Sequence, residues 1–218
     1  SGNVGKNFLS SSGGIVSATF DESNLPLKDL LASGLFVNRS IMDWYYSEKF
    51  KGGTIDILFE HANPIRRASF LRYDENDELV IGEKLQNSIF ERLTQTRTLN
   101  MELFLDWTPN DNSFISVDEK YKDKYGIPVA NIRIGSHEQD LKAANFLKEK
   151  AVKVFEKMGG KDIVSIISAL PSSNLQAGGC RFGDNPKTSV LNKYCQAHEV
   201  SNLFVTDGSF MPTGGSVP

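Results

Sequence analysis

The residues best placed to do chemistry lie toward the end of the chain. An apolar run, Leu203-Phe204-Val205, leads into Thr206-Asp207-Gly208. Glycine lets a backbone come close to a ligand, and N–H groups left free after a strand can face an anion. In open α/β sheets, ligands sit at the carboxyl ends of the strands. The same Asp207-Gly208 pair also makes an ordinary β-turn. A second stretch, Gly178-Gly179-Cys180-Arg181-Phe182-Gly183-Asp184-Asn185-Pro186, packs backbone-permissive residues around one Arg and one Cys. The planar guanidinium of Arg181 could hold an anionic group, although bonding loop carbonyls is the commoner use of such an arginine. Cys180 has no His beside it in sequence, so a nucleophilic role lacks its base. Trp44-Tyr45-Tyr46 could stack on a sugar, with aromatic strand packing as the simpler reading. His61, His137 and His198 are far apart and show no metal-ligand spacing.

Elements must position these residues. Residues 1–12 are rich in Gly and Ser and read as a loop. Ile15 to Phe20 is a strand, bounded by Gly13-Gly14 and a turn-prone Asp21-Glu22-Ser23-Asn24. Short strands are expected at Leu35-Phe36-Val37, Ile41 to Tyr46, Thr54 to Phe59 and Ala68 to Tyr73, with Pro64 between the last two. Gly82 to Leu93 has helical character. Thr96 to Trp107 alternates, with Leu99, Met101, Leu103 and Leu105 on one face and Thr98, Asn100, Glu102 and Phe104 on the other. A half-buried antiparallel sheet suits that run. A helix is expected from His137 to Met158, capped by Ser136 with Gln139 and stopped by Gly159-Gly160. Its apolar stripe is Leu141, Ala144, Leu147, Ala151, Val154, Phe155 and Met158, spaced to pack on a sheet. Ile163 to Ser168 is a further strand, and Lys120 to Lys124 reads as a solvated turn.

Composition narrows the function classes. The 218 residues carry 24 basic and 27 acidic side chains, a net charge of −3, which lacks the basic surplus that nucleic acid binding requires. No run of eighteen apolar residues occurs. With 14 Phe, 6 Tyr and 2 Trp there is ample core-forming material, so disorder is excluded. Two cysteines, Cys180 and Cys195, make neither a disulfide scaffold nor a zinc ribbon, and two separate thiols are expected. The chain opens on Ser1-Gly2 and stops on the turn-like Gly214-Gly215-Ser216-Val217-Pro218, so a piece of a longer protein is expected.

Four segments together carry a family resemblance. Gly178 to Leu191 and Cys195 to Phe210 resemble the C-terminal signature of the glucose–methanol–choline (GMC) oxidoreductases. Val4-Gly5-Lys6-Asn7-Phe8 looks like that family's opening of the substrate domain, and Asp123-Lys124-Tyr125-Gly126-Ile127-Pro128 like its motif before a helix. Their order and spacing match, strongly over about 112–218 and loosely between about 10 and 100. The nearest branch is that of the gluconate-2-dehydrogenase-like enzymes.

The resemblance implies an FAD-dependent oxidation of an alcohol group on a sugar, polyol or sugar acid. It implies an α+β fold, a mainly antiparallel sheet packed against a long helix over residues 1–170. A segment over 171–218 would belong to the flavin-domain side. Within that segment Asp207, Gly208 and Ser209 would lie along the cofactor. The G-x-G-x-x-G fingerprint of a Rossmann flavin domain is absent, so the N-terminal FAD-binding part is expected to be missing, and this piece is expected to be inactive by itself and to hold no FAD. Implied partners are that flavin domain, a small alcohol or sugar and, in the nearest branch, a cytochrome subunit in the periplasm. The family's catalytic His falls by register on Leu175, which cannot take a proton, and its second catalytic position falls at or beyond Pro218. No catalytic residue or metal ligand is therefore assigned. Two other readings stay open: a stand-alone sugar- or protein-binding module on a flavoenzyme scaffold, and a catalytically silent homologue. An unpaired apolar strand is adhesive. Leu203-Phe204-Val205 is accordingly expected to pack on its own sheet or on a second copy.

Overall fold

The computed structural model describes residues 2–23, 26, 37–46, 51–60, 63–74, 76–168 and 175–215. In chain order its strands are β1 (Phe8–Ser10), β2 (Gly13–Asp21), β3 (Val37–Ile41), β4 (Gly53–Phe59), β5 (Thr96–Leu105), β6 (Phe114–Lys122), β7 (Pro128–Arg133), β8 (Lys161–Ile167) and β9 (Gln176–Gly178). The α-helices are α1 (Pro64–Ser69), α2 (Gly82–Thr94) and α3 (Glu138–Lys157). Five strands form an antiparallel sheet in the order β3-β4-β5-β2-β8, while β1 pairs with β9 and β6 with β7. The class is α+β.

The central strand β5 organises the sheet because both of its edges are paired. Its alternation puts Met101, Leu103 and Leu105 on the buried side. Helix α3 covers that side with Ala143, Ala144, Leu147, Ala151 and Phe155, packed on Val16, Ala18, Phe20 and Ile55. Alanines at three of those positions let the helix come close to the sheet, and Phe20 meets Phe155 with ring centroids 5.9 Å apart. Val154 packs at the margin of this contact, Leu141 is half-buried, and Met158 is exposed.

The cap of α3 differs from the expected one. His137, not Ser136, is the N-cap, and its Nδ1 accepts the Gln139 N–H at 3.1 Å. The helix thus starts one residue later, which leaves Gln139 one place short of the position a capping box needs. At the other end Gly159 adopts φ +78°, and the Gly160 N–H donates to the Phe155 carbonyl at 2.9 Å.

Several local expectations are corrected. Ala68 to Tyr73 is no strand: α1 runs through Ser69 and a 3-10 turn covers Phe70–Arg72. Asn63 caps α1 by accepting from Ile65 N–H at 2.9 Å, and Pro64 sits in the first turn, where its missing N–H costs nothing. β3 ends at Ile41, and residues 42–46 turn back toward a bridge between Tyr46 and Lys51. Leu35 and Phe36 lie outside the described residues. The 1–12 stretch contains β1, and Lys120–Lys122 belong to β6, with the turn following at 123–127. Leu203-Phe204-Val205 does not join the main sheet. It folds back on residues 195–197 through Ala197 N–H to Leu203 O and Val205 N–H to Cys195 O, both 2.9 Å.

A buried ion cluster ties α1 and α2 to the start of β5. Glu60 accepts Arg92 Nη2 at 2.5 Å, with Arg67 and Arg97 at 3.8 and 3.7 Å. Core packing still dominates stability. Leu147→Ala should lower the unfolding free energy by about 2–5 kcal/mol, whereas Met158→Ala should stay within about 0.5 kcal/mol. Urea unfolding of the two variants checks this, and equal costs would mean α3 is not the lid of the core.

Candidate functional site

The opening segment and the C-terminal signature, far apart in sequence, meet edge to edge. Phe8 pairs with Gly178 across β1 and β9, and the Gly5 N–H donates to the Gly179 carbonyl at 2.7 Å. Gly5 has φ +81°, and a Cβ there would lie 1.9 Å from the Ile115 carbonyl oxygen, so the approach requires glycine. The segment carrying Asp207-Gly208-Ser209 is stacked on the same unit: Cys180 N–H donates to Ser209 O at 2.9 Å and Phe182 N–H to Phe210 O at 3.1 Å. Asp207 caps this 3-10 turn, its Oδ1 accepting the Ser209 N–H (2.8 Å) and hydroxyl (2.5 Å). Those donors hold its carboxyl below the usual carboxylate range.

The chain then returns to the end of β5. Asp106 accepts the Gly215 N–H at 2.7 Å and an ion pair from Lys51 at 2.9 Å, and the Tyr45 hydroxyl donates to the Gly215 carbonyl. A Cβ on Gly214 would lie 2.4 Å from the Trp107 ring, so this fit also needs glycine. Trp107, Phe104, Leu9 and Ala177 form a second, smaller core under the returning tail.

On the face of the main sheet turned away from α3 lies a cavity of about 330 Å³, lined by Ser12, Ile15, Glu102, Phe104, Ile166 and Leu175 among others. Leu175 holds φ +50°, a left-handed conformation uncommon for a non-glycine residue. Glu102 is the charged residue among those lining the cavity. Burial pushes its carboxyl above the ordinary range, and the neighbouring Asp56 charge adds to this. Asp56 stands opposite Glu102 across β4 and β5 and is itself buried, accepting a hydrogen bond from the Ser40 hydroxyl. The sequence had put Glu102 on the face opposite the apolar one, but nothing in it marked that face as facing a cavity.

The other candidates have structural duties. Arg181 donates from Nε to the Thr188 carbonyl at 2.9 Å. His198 Nε2 contacts Ser189 Oγ at 2.9 Å and Gly183 O at 3.1 Å, knitting the signature loop. The Cys180 thiol is pushed up by burial, which disfavours a thiolate nucleophile. Trp44 packs at the margin of the main core. His61, Val217 and Pro218 lie outside the described residues. Among the described residues no group of three or more His, Cys, Asp or Glu is placed to share a metal ion. Asp123 makes the β6–β7 turn, accepting from the Tyr125 and Ile127 N–H groups.

Residues 109–218, just over half of the chain, match the family model described as GMC oxidoreductase. The chain belongs to the GMC oxidoreductases. Its similarity to individual members is modest. Over 117 residues it is 33% identical to the 2-methyl-1,2-propanediol dehydrogenase of Mycolicibacterium austroafricanum, covering 53% of this chain and 21% of that protein. Over 140 residues it is 30% identical to the fructose dehydrogenase large subunit of Gluconobacter japonicus, covering 63% and 25%. Over 110 residues it is 29% identical to the gluconate 2-dehydrogenase flavoprotein of Pantoea cypripedii, covering 47% and 18%. The matched part thus spans a quarter or less of each of these relatives. The GMC oxidoreductases are FAD-dependent, and the family likeness falls on the half of the chain that contains the stacked signature segments.

The raised Glu102 carboxyl has a stability consequence. A group whose folded pKa is elevated contributes stability that is full below its unfolded pKa and is lost as pH rises through the folded one. Glu102→Gln should therefore gain stability relative to the parent as pH climbs from about 4 to about 8. Asp140, also pushed up by burial, remains in both proteins and cancels in the comparison. Urea unfolding across that range measures the difference, and a constant difference would mean that burial and the Asp56 charge do not perturb the Glu102 carboxyl.

Proposed function

We propose that this chain supplies the substrate-side portion, together with the cofactor-lining C-terminal segment, of an FAD-dependent enzyme that oxidises an alcohol group on a sugar, polyol or sugar acid. Residues 1–170 are the substrate-domain part, and 171–218 belong to the flavin side. The observation that carries this reading is the stacking of the Asp207–Phe210 turn beside Gly5 and Gly179 on the unit that contains β9, the strand that follows the cavity-lining Leu175.

The local chemistry fits a cofactor lying along that segment. The Asp207 carboxylate is occupied inside its own turn, so it shapes the backbone there. Gly208 presents no side chain, and a Cβ on it would stand 3.2 Å from the Gln176 carbonyl. When bound, FAD supplies the hydride acceptor. This chain's part is to hold the alcohol in the cavity and exclude water from it with Ile15, Phe104 and Ile166. Leu175 contributes apolar wall and no proton chemistry. The dehydrogenase names of the relatives, and the short share of each that is matched, support an enzyme whose flavin domain lies in another part of the protein. By the same likeness, a cytochrome subunit and a periplasmic setting are part of this proposal.

The test is flavin retention. The purified chain incubated with FAD should stay colourless after desalting, and the chain joined to its flavin domain should stay yellow. In that joined protein Asp207→Ala should weaken FAD retention several-fold by loosening the turn. Stoichiometric FAD binding by the 218-residue chain alone would defeat the two-part reading.

A further inference from the structure

The hairpin of β6 and β7 stands apart from the main sheet. Among the described residues no third strand joins it, and neither of its strands contains a buried residue. Its two faces differ. Register places Ile115 opposite Ile132 and Val117 opposite Ala130, so these four share one face. Val117 is 65% and Ile132 53% exposed, and Ala130 is exposed as well. The other face pairs Ser116 with Asn131 and Asp118 with Val129, and sets the Arg133 guanidinium 6.0 Å from the centre of the Phe114 ring. Water suits that second face and not the first.

The apolar face extends beyond the hairpin. The Ile115 N–H donates to the Gly5 carbonyl at 2.8 Å and Lys6 bridges to Phe114. Val4, 62% exposed, is thereby brought to the base of the hairpin. A concave site of about 470 Å³ opens there, lined by Val4, Lys6, Asp111, Phe114, Ile115 and Ser116. An apolar centre with charged residues at its rim, here Lys6 and Asp111, is the make-up of a surface that meets another protein surface. Two-stranded hairpins are marginal in water by themselves and gain stability from a further layer packed on an apolar face. Two observations say what that layer is. The base of the hairpin is stitched to the unit on which the Asp207–Phe210 turn stacks, through Phe8 N–H to Ser113 O at 3.1 Å and Gly5 N–H to Gly179 O at 2.7 Å. The hairpin also lies wholly within residues 109–218, the part that matches the GMC family, and its tip is the Asp123–Pro128 segment. Helices α1 and α2 expose Ile65 and Phe90 too, but they lie outside the matched part. A cover for the hairpin therefore belongs among the parts that family members share, and the flavin domain is such a part.

We propose that the flavin domain docks on this face, laying an apolar surface of its own across Val4, Ile115, Val117, Ala130 and Ile132. The inference rests on the reading of residues 171–218 as the flavin side, and it names a second surface by which the two parts hold together. Docking supplies the layer that the hairpin lacks, so the order of the hairpin is coupled to association of the two parts.

Hydrogen exchange of the amides in residues 114–133, read by mass spectrometry, tests this in the 218-residue chain and in the chain joined to its flavin domain. The cross-strand amides should exchange at least about tenfold more slowly in the joined protein, a factor that burial of one aliphatic side chain suffices to give. Amides of α3 should exchange alike in both. Val117→Lys should return the hairpin of the joined protein to the rate of the chain alone. Asn131→Lys, on the hydrated face, should leave it protected. Both positions are exposed in the chain, so both variants fold as the parent does. Equal exchange in the two proteins overturns the proposal, as does a loss of protection in Asn131→Lys equal to that in Val117→Lys. Protection that appears in the 218-residue chain as its concentration rises also overturns it, because a second copy is then the occupant. FAD retention separates this inference from the reading beneath it. A joined protein that keeps FAD while its hairpin exchanges freely sinks the docking face and leaves the functional reading standing. One that loses FAD on desalting sinks the functional reading and removes the flavin domain as occupant.

Discussion

Everything in this molecule depends on which way β5 faces. The strand is paired along both edges, and its side chains alternate between the α3 core and the opposite face of the sheet. A slip of one residue would send Glu102 into the core and Met101 and Leu103 onto the surface. That slip is forbidden by the burial of Met101, Leu103 and Leu105 against Leu147 and Phe155. The apolar face therefore does more than stabilise. It fixes the register that lines up Ile166, Ile15, Glu102, Asp56 and Ser40 on the other side, so the energetics of one face dictate the chemistry of the opposite one.

A second constraint is steric. The opening segment, β9 and the Asp207–Phe210 turn approach so closely that Gly5, Gly178 and Gly208 each have a backbone carbonyl within 3.2 Å of where a Cβ would stand. Glycine at these places allows segments more than 170 residues apart to hydrogen-bond backbone to backbone, as Gly5 does with Gly179. The tail then closes over Trp107 and is pinned by Asp106, so the C-terminal segment and the sheet form one contiguous body. The same glycines that carry the sequence resemblance are the ones that let the Asp207–Phe210 turn, β9 and the opening segment pack together.

Much of the fold was legible because its signals are periodic. The alternation at Thr96 to Leu105 and the apolar stripe of α3 both follow from burial of one side of a regular element, which a single sequence displays directly. The misreadings fall where the deciding interaction is local and polar. At Asn63-Pro64 a cap and a proline in the first turn start a helix in a segment whose aromatic content suggested a strand. At Ser136-His137 two neighbouring residues could each cap, and the imidazole prevails by one position. Leu203-Phe204-Val205 has strand composition, yet its nearest pairing partners, residues 195–197, are supplied by its own loop.

By itself the sequence determined the α+β class, the amphipathic helix, the central alternating strand and membership in a flavoenzyme family, since all of these are encoded in residue type and spacing along one dimension. Only the tertiary structure decided that Glu102 and Asp56 stand side by side, that Leu175 and Glu102 line the same cavity, and that Arg181, His137 and His198 serve as structural pins. The pins are local choices among competing partners, while the placements of Glu102, Asp56 and Leu175 are relations between strands or loops distant in sequence. Register and backbone approach create them at folding, and no spacing within a single segment records them.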